Sequence, residues 1–279
     1  VHLDFLAVMN TRLMKGQKVL QGYLSAKNPV DTWVSGTFAI AFWTVNHLWH
    51  LGKYNLGLSS CLGGTGMCIS ADIVREFGWG CDCLTEDMEF SMKCLSHGIR
   101  TCWVHDAIIY DEKPLTFMAS WRQRKRWAQG QFDCSERYIP ILMKEGFKRH
   151  SIVVLDGIMQ LLQNYFLLIS AFYLVMTYIN MFYPCFTVVL YNDALVPRQF
   201  WSVLGTIQYV LPLIVLLQIE VPAKIYLYWL IYPVFMYSWV PVTFLGWIHR
   251  HEKQWVHTIH TRSMQFQAAS LTRKKEIDS

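Results

Sequence analysis

The chain has 279 residues, which is enough for one large domain or two smaller ones. Only 16% of these residues are charged and 53% are hydrophobic, whereas soluble domains carry about 25% charged residues. The shortage of charge is concentrated in residues 151–246, between two more polar stretches. This distribution excludes an ordinary soluble protein and predicts a polar domain, a membrane region and a short polar tail.

A nucleic-acid-binding protein needs a broad basic face with interleaved aromatic residues. Here the net charge is only +5, and the basic residues cluster within residues 122–126 and in the tail, beside apolar segments. Membrane topology explains this arrangement more simply. We therefore predict no nucleic-acid partner.

Residues 1–112 alternate predicted helices and strands, which indicates an α/β domain. Asp31 is expected to cap a helix so apolar that it could pass for a membrane span, but Asn46 and His47 favour a buried or interfacial helix. The other expected elements, in chain order, are a helix at 3–14, a strand at 18–23, a glycine-dense turn at 62–66, a strand at 67–69 and a helix from Ser70 to Gly78.

The second part of this domain contains the first chemically suggestive residues. Thr85 is predicted to be the N-cap of a helix that ends at Gly98. Glu86 and Asp87 lie in its first turn, where the helix dipole favours anions. The remaining expected elements are strands at 100–104 and 107–110 and a long helix that begins at Pro114, within an interfacial region of residues 113–150.

Residues 151–248 are predicted to form an all-α transmembrane region. The stretches 165–190, 203–219 and 225–248 are each long enough to cross about 30 Å of hydrocarbon. Polar residues before position 165, such as Asp156 and Gln160, predict either a helix on the membrane surface or the polar interior of a helix bundle.

The distribution of basic residues predicts a multi-pass protein of the plasma membrane. The positive-inside rule places the α/β domain and the basic tail, residues 249–279, on the cytoplasmic side. Three membrane spans would place the α/β domain and the tail on opposite sides of the membrane. We therefore expect residues 151–191 to contain either a hairpin or a re-entrant piece broken near Asn180 and Pro184.

Asp87 is a candidate general base. A carboxylate in the first turn of a helix is kept ionised by the dipole and by free backbone N–H groups, and it can then accept a proton from a sugar hydroxyl. Taken alone, Glu86 and Asp87 also fit simple helix capping. They cannot flank one bond as a glycosidase pair does, because adjacent helical residues diverge by about 100°.

The segment from Gln123 to Trp127 is a candidate ligand site. Arg126 offers a planar donor fork suited to a diphosphate, and Trp127 offers a flat apolar face for a sugar ring. Gln123 lies about one turn earlier on the same side of the helix. Taken alone, the same residues also fit a basic helix beside a membrane.

The order of these motifs, followed by membrane spans, resembles the family 2 processive glycosyltransferases. That group includes hyaluronan, chitin and cellulose synthases and the bacterial poly-N-acetylglucosamine synthases. The resemblance covers roughly residues 1–147 by motif and the rest by the pattern of spans. The motifs are Gly63-Gly64-Thr65-Gly66, Thr85-Glu86-Asp87-Met88-Glu89 and Gln123-Arg124-Lys125-Arg126-Trp127.

The resemblance implies an inverting transferase with part of a GT-A-type domain. Such an enzyme would move GlcNAc or glucose from a UDP-sugar to a growing β-linked polysaccharide. Asp87 would be the catalytic base, and Gln123 and Arg126 would bind the diphosphate. The acceptor-binding residues would be Gly63, Gly64, Thr65, Glu86 and Trp127.

The family is also similar in using Mg²⁺ or Mn²⁺ held by an Asp-x-Asp motif. That motif does not occur here, and residues 1–5 look like sequence just downstream of it. We therefore expect a C-terminal fragment that is inactive alone, with its metal ligands upstream and none in the chain itself.

Two other functions fit the same sequence. One is a non-processive transferase that adds one sugar to a lipid or a short glycan. The other is a membrane scaffold subunit whose transferase domain is inactive.

Overall fold

A computed structural model describes residues 1–183 and 198–252. Its α/β half is built on a three-stranded sheet with the order β2-β1-β3, in which β1 pairs antiparallel with β2 and parallel with β3. The strands are β1 (Val19–Ala26), β2 (Met67–Ile69) and β3 (Thr101–Asp111).

The two strands predicted at 100–104 and 107–110 are one strand. Val104 pairs with Gly22 and Ile108 pairs with Tyr23, so the intervening residues of β3 form a bulge. Gly22 permits this bulge, because a Cβ atom at position 22 would lie 2.5 Å from the carbonyl oxygen of Ala107.

The helices of this half lie close to their predicted positions, but one of the two predicted caps is wrong. The side chain of Thr32, not Asp31, accepts a hydrogen bond from the N–H of Ser35 at 3.1 Å. Thr85 precedes its helix as predicted, yet its side chain makes no capping bond. The helices are α1 (Phe5–Met14), α2 (Trp33–Thr44), α3 (Leu51–Asn55), α4 (Ala71–Phe77) and α5 (Glu86–Ser96), with a π-helical segment (Val45–His50) between α2 and α3.

Helix α2 is buried, which is one of its two predicted placements. It packs on the sheet on one side and on two later apolar helices on the other, so it can be apolar all round. Those helices are α8 (Arg198–Gln218) and α9 (Lys224–Tyr237).

Two long helices connect the halves of the chain. Helix α6 (Phe117–Lys148) begins after Thr116, whose side chain accepts a hydrogen bond from the N–H of Ala119 at 3.3 Å. The predicted start at Pro114 is therefore wrong by one turn. Helix α7 (Ile152–Phe182) packs along α6.

The polar side chains at the start of α7 face the protein rather than a surface. Nζ of Lys53 lies 2.7 Å from Oδ2 of Asp156 and 3.4 Å from Oε1 of Gln160. Buried charges require such partners. Of the two predicted placements, the interior of a bundle agrees with these contacts and the membrane surface does not.

Two stretches are long and apolar enough to cross a membrane by length and composition, Ile152–Met176 and Lys224–Ile248. The second stretch comprises α9 and α10 (Trp239–Ile248). The predicted span at 203–219 corresponds to the apolar part of α8, Val203–Gln218. At about 24 Å this segment is shorter than the hydrocarbon thickness of about 30 Å, so the prediction that it is long enough to cross a membrane is wrong.

The predicted hairpin or re-entrant piece is only partly covered by the structure. Helix α7 ends at Phe182, between Asn180 and Pro184, the two residues near which a break is predicted. Pro184 and the tail from residue 253 onward lie outside the described residues.

The contact between α2 and α9 generates a stability prediction. A Cβ atom at Gly36 would lie 2.1 Å from Cδ2 of Tyr228, so Gly36→Ala must displace an aromatic ring. We expect a loss of about 1–3 kcal/mol, the usual cost of overpacking. Thermal unfolding of the detergent-purified full-length protein measures it.

Gly52→Ala is the matched control, because nothing lies within 4 Å of a Cβ atom at this helical position. It should be neutral or stabilise the protein by up to about 1 kcal/mol through helix propensity. If Gly36→Ala raised the melting temperature as much as Gly52→Ala does, the close packing of α9 on α2 would be contradicted.

Candidate active site

Asp87 lies in the first turn of α5 and is partly buried. Desolvation is the main cause that raises its pKa to about 6, and the neighbouring Glu86 carboxylate raises it further. The N–H of Met88, 2.7 Å from Oδ1, and the positive charge of Arg126 lower the pKa by less. The sequence predicted that the helix dipole would keep the pKa of this carboxyl low. The pKa is raised instead, because the effect of burial is larger than that of the dipole.

The glycine turn lies directly against this carboxylate. A Cβ atom at Gly64 would lie 3.3 Å from Oδ2 of Asp87. Gly64 and Gly66 have φ values of +77° and +62°, a left-handed conformation that side chains disfavour. The turn thus presents bare backbone beside Asp87, as the resemblance implies.

Gln21 holds the glycine turn in place, a role that sequence reasoning missed. Its Nε2 donates to the carbonyl of Thr65 at 2.9 Å, and its Oε1 accepts from the N–H of Gly63 at 2.8 Å. The side chain is buried on β1. The sequence feature that could have indicated this role is a single amide side chain among the apolar residues of a predicted strand.

Ser91 joins the turn to the helix that carries Asp87. Its Oγ accepts from the N–H of Leu62 at 2.9 Å and donates to the carbonyl of Asp87 at 2.8 Å. Ser91 follows Asp87 by four residues, so the same helical turn positions both groups. Two hydrogen-bonding side chains therefore fix the backbone next to the carboxylate.

Glu89 fixes the loop before α5, and sequence reasoning assigned it no role. Its Oε2 accepts from the N–H groups of Asp82 and Cys83 at 2.8 and 2.9 Å. Its Oε1 lies 3.4 Å from Nη1 of Arg137 on α6. In contrast, Glu86 is exposed at the start of the helix.

Helix α6 meets the start of α5 at Gly130. A Cβ atom at this position would lie within 2.7 Å of Thr85, so the two backbones touch. Gln123, Arg126 and Trp127 precede Gly130 on the same side of α6, at spacings of seven, four and three residues. This contact brings the turn of α6 that carries Arg126 close to the start of α5.

Of these three residues, Arg126 is the one shown to interact electrostatically with Asp87. Gln123 is partly buried, and its Oε1 has no hydrogen-bond partner among the residues that the structure describes. An unsatisfied buried carbonyl of this kind is commonly found where a ligand or water completes a site.

Trp127 is half-buried and lies among aromatic rings of two other helices. Its ring centre is 6.1 Å from that of Phe38, 6.3 Å from that of Phe42 and 6.5 Å from that of Trp239. The Trp127 and Trp239 planes differ by only 20°. The predicted platform is thus one wall of an aromatic cluster, and its partner Trp239 was not foreseen.

A divalent metal does not fit the residues at hand. Within residues 1–183 and 198–252 there is no group of three or more His, Cys, Asp or Glu side chains that could hold one. We assign no metal ligand to this part of the chain.

The role of Gln21 can be tested by stability. Gln21→Leu removes the hydrogen-bond partners of the Gly63 N–H and of the Thr65 carbonyl, which are only partly buried, and we expect a loss of about 1–2 kcal/mol. Gln17→Leu is the control, since the buried Oε1 of Gln17 has no hydrogen-bond partner among the described residues and its removal should cost little. Thermal unfolding would contradict the assignment if both variants lost equal stability.

Comparison with known proteins identifies the family of the chain. Residues 3–247 match the family model described as glycosyl transferase family group 2. The chain is also similar to the probable glycosyltransferase YdaM of Bacillus subtilis (strain 168), with 30% identity over 80 residues. That alignment covers 28% of this chain and 19% of the relative. Because the family model spans both the α/β half and the helices up to α10, the chain belongs to glycosyl transferase family group 2.

Proposed function

We propose that this protein is the acceptor and leaving-group side of an inverting membrane glycosyltransferase. The donor would be a UDP-sugar, with GlcNAc or glucose as the sugar, and the product a β-linked polysaccharide. The observation that carries the proposal is the position of Asp87, whose pKa is near 6, beside the bare backbone of Gly64 and within electrostatic range of Arg126.

Asp87 is suited to be the general base. A carboxylate with a pKa of about 6 is mostly ionised at neutral pH, yet it is a stronger base than an ordinary aspartate. It would take the proton of the acceptor hydroxyl while the acceptor oxygen attacks the anomeric carbon. The bond to the diphosphate breaks on the opposite face, so the configuration at that carbon inverts.

Arg126 and Gln123 would serve the leaving group. As the bond to the diphosphate breaks, negative charge develops on the phosphate oxygens, and a guanidinium stabilises it through paired N–H donors. Gln123, one turn away, would contribute its amide N–H groups. Mg²⁺ or Mn²⁺ would supply further charge neutralisation when bound, and we assign it no ligand among the described residues.

The acceptor would lie between the glycine turn and α6. Gly63, Gly64 and Thr65 leave room for a sugar hydroxyl to approach Asp87, because two of them have no side chain. The ring of Trp127 would stack on the apolar face of the sugar. Glu86, exposed at the start of α5, would be within reach of acceptor hydroxyls.

A membrane location is supported by two stretches that are long and apolar enough to span a bilayer, Ile152–Met176 and Lys224–Ile248. We propose a multi-pass protein of the plasma membrane with its catalytic domain in the cytoplasm. Processive synthesis is the first choice because of the motif order. Transfer of a single sugar to a lipid or short glycan, and an inactive scaffold, are its competitors.

The first test is the Asp87→Asn variant of the full-length protein. We expect kcat to fall by about 10²–10⁴-fold, the usual contribution of a general base. In the wild-type enzyme, kcat/KM should rise with pH and level off above an apparent pKa of about 6. Asp82→Asn, which changes an exposed carboxylate five residues earlier, should leave both unchanged. Unaltered polysaccharide output in Asp87→Asn would support the scaffold.

The same substitution should stabilise the fold at neutral pH. The pKa of Asp87 is above its ordinary value of 3.8, so ionisation destabilises the folded state as pH rises from about 4 to 6. This cost is fully present about one pH unit above the folded-state pKa, and Asp87→Asn should recover up to about 3 kcal/mol at pH 7.5. The gain in melting temperature should shrink toward pH 4.

A product assay separates the processive from the non-processive function. The detergent-solubilised full-length protein is incubated with radiolabelled UDP-GlcNAc or UDP-glucose, and the product is resolved on a gel. We expect labelled polymer at the gel origin. A single product that is extracted into organic solvent would establish the non-processive alternative instead.

A further inference from the structure

Arg124 lies within the Gln123–Trp127 motif but faces away from Asp87. Its side chain is completely buried, with 0% of its surface exposed. Nη1 donates to Oγ of Ser238 at 2.8 Å and lies 3.5 Å from the carbonyl oxygen of Phe235. Both partners belong to the junction of α9 and α10, more than a hundred residues along the chain.

This junction is the one interruption within the apolar stretch Lys224–Ile248. Helix α9 ends at Tyr237 and α10 begins at Trp239, so Ser238 caps both. Oγ of Ser238 donates to the carbonyl of Phe235 at 2.6 Å. Arg124 thus brings two hydrogen bonds to the junction, one to the hydroxyl of Ser238 and one to the carbonyl of Phe235 in the last turn of α9.

Aromatic rings complete the surroundings of the guanidinium. Its Cζ lies 4.5 Å from the ring centre of Phe235, 5.1 Å from that of Trp239 and 5.8 Å from that of Phe117. Desolvation lowers the pKa of Arg124 to about 10, so the group stays charged at neutral pH. Hydrogen bonds from Nη1 and cation–π contacts replace part of the hydration of this charge, while Nη2 has no hydrogen-bond partner among the residues that the structure describes.

The junction is also where the apolar stretch reaches the candidate acceptor site. Trp239, the residue after Ser238, stacks on Trp127 at 6.5 Å. Trp127 follows Arg124 by three residues on α6. Arg124 and Trp127 therefore hold two consecutive residues of the junction, one by hydrogen bonding and one by ring stacking.

We propose that Arg124 is a positioning residue that locks the α9–α10 junction onto α6 and thereby sets the position of Trp127 for acceptor binding. This inference rests on the proposed function. It assigns Arg124 no contact with the donor or the reacting atoms. Losing it should therefore affect the acceptor side of the reaction and leave the donor side, at Arg126 and Gln123, nearly intact.

A merely structural role for this buried charge makes a different prediction. Removing a buried arginine would then lower the yield of folded protein, but the folded fraction would keep normal kinetic constants. A split between the acceptor and donor KM values, together with a local change at the junction, distinguishes positioning from bulk stability.

The test uses the full-length protein in detergent with three variants. Arg124→Met removes the positive charge, and Arg124→Lys keeps the charge without the planar guanidinium. Ser238→Ala removes the serine hydroxyl that accepts the hydrogen bond from Arg124, with little change in packing. Arg122→Met is the control, since Arg122 is exposed on the same helix. Ser238→Ala keeps the test decisive if the Arg124 variants fold poorly.

Two measurements are made on each variant. Hydrogen–deuterium exchange reports the protection of amides at residues 237–240, which we expect to fall about tenfold when one charge-assisted hydrogen bond is lost. Kinetics use UDP-GlcNAc or UDP-glucose as donor and a β-linked oligomer of the same sugar as acceptor. The acceptor KM should rise about tenfold, because the lost hydrogen bond no longer fixes the position of Trp127. The donor KM should change less than about twofold.

The outcomes separate this inference from the proposed function. Unchanged exchange at the junction in Arg124→Met and Ser238→Ala would overturn the locking contact. Faster exchange with an unchanged acceptor KM, or with equal rises in both KM values, would overturn the coupling to Trp127. A wild-type protein that transfers no sugar would overturn the proposed function, and the exchange data would still decide whether Arg124 holds the junction.

Discussion

The contact between Gly130 of α6 and Thr85 is the constraint on which the candidate site depends. Any side chain at position 130 would come within 2.7 Å of Thr85, so the start of α5 and the middle of α6 are held at backbone distance. Asp87 is two residues beyond Thr85, and Arg126 is one helical turn before Gly130. Their electrostatic contact follows from this single close approach.

Close packing at this point also determines the chemistry of Asp87. Three groups favour its ionised form: the helix dipole, the N–H of Met88 and the charge of Arg126. Desolvation by the surrounding protein is larger, and the pKa rises to about 6. The result is a base that is strong and still ionised at neutral pH, at the expense of stability. Perturbed carboxylates of this kind are characteristic of functional sites.

Two buried cations, one on the α/β half and one on the connecting helix α6, contact the apolar helices. Lys53 of α3 contacts Asp156 of α7 at 2.7 Å, and Arg124 of α6 contacts Ser238 at 2.8 Å. Apolar packing alone tolerates small shifts between helices, whereas a buried charge is costly without its partner. These contacts therefore give the apolar helices a defined register against the helices around the candidate site.

The order of the elements, the place of Asp87 in the first turn of α5 and the shared face of Gln123, Arg126 and Trp127 could be read from the sequence, because each depends on local spacing. Only the tertiary structure decided the merging of two strands across a bulge, the raised pKa of Asp87, and the roles of Gln21, Ser91 and Arg124. These features depend on residues far apart in the chain. Gln21 contacts a turn more than forty residues away and Arg124 contacts a junction 114 residues away, and no local pattern encodes such distances.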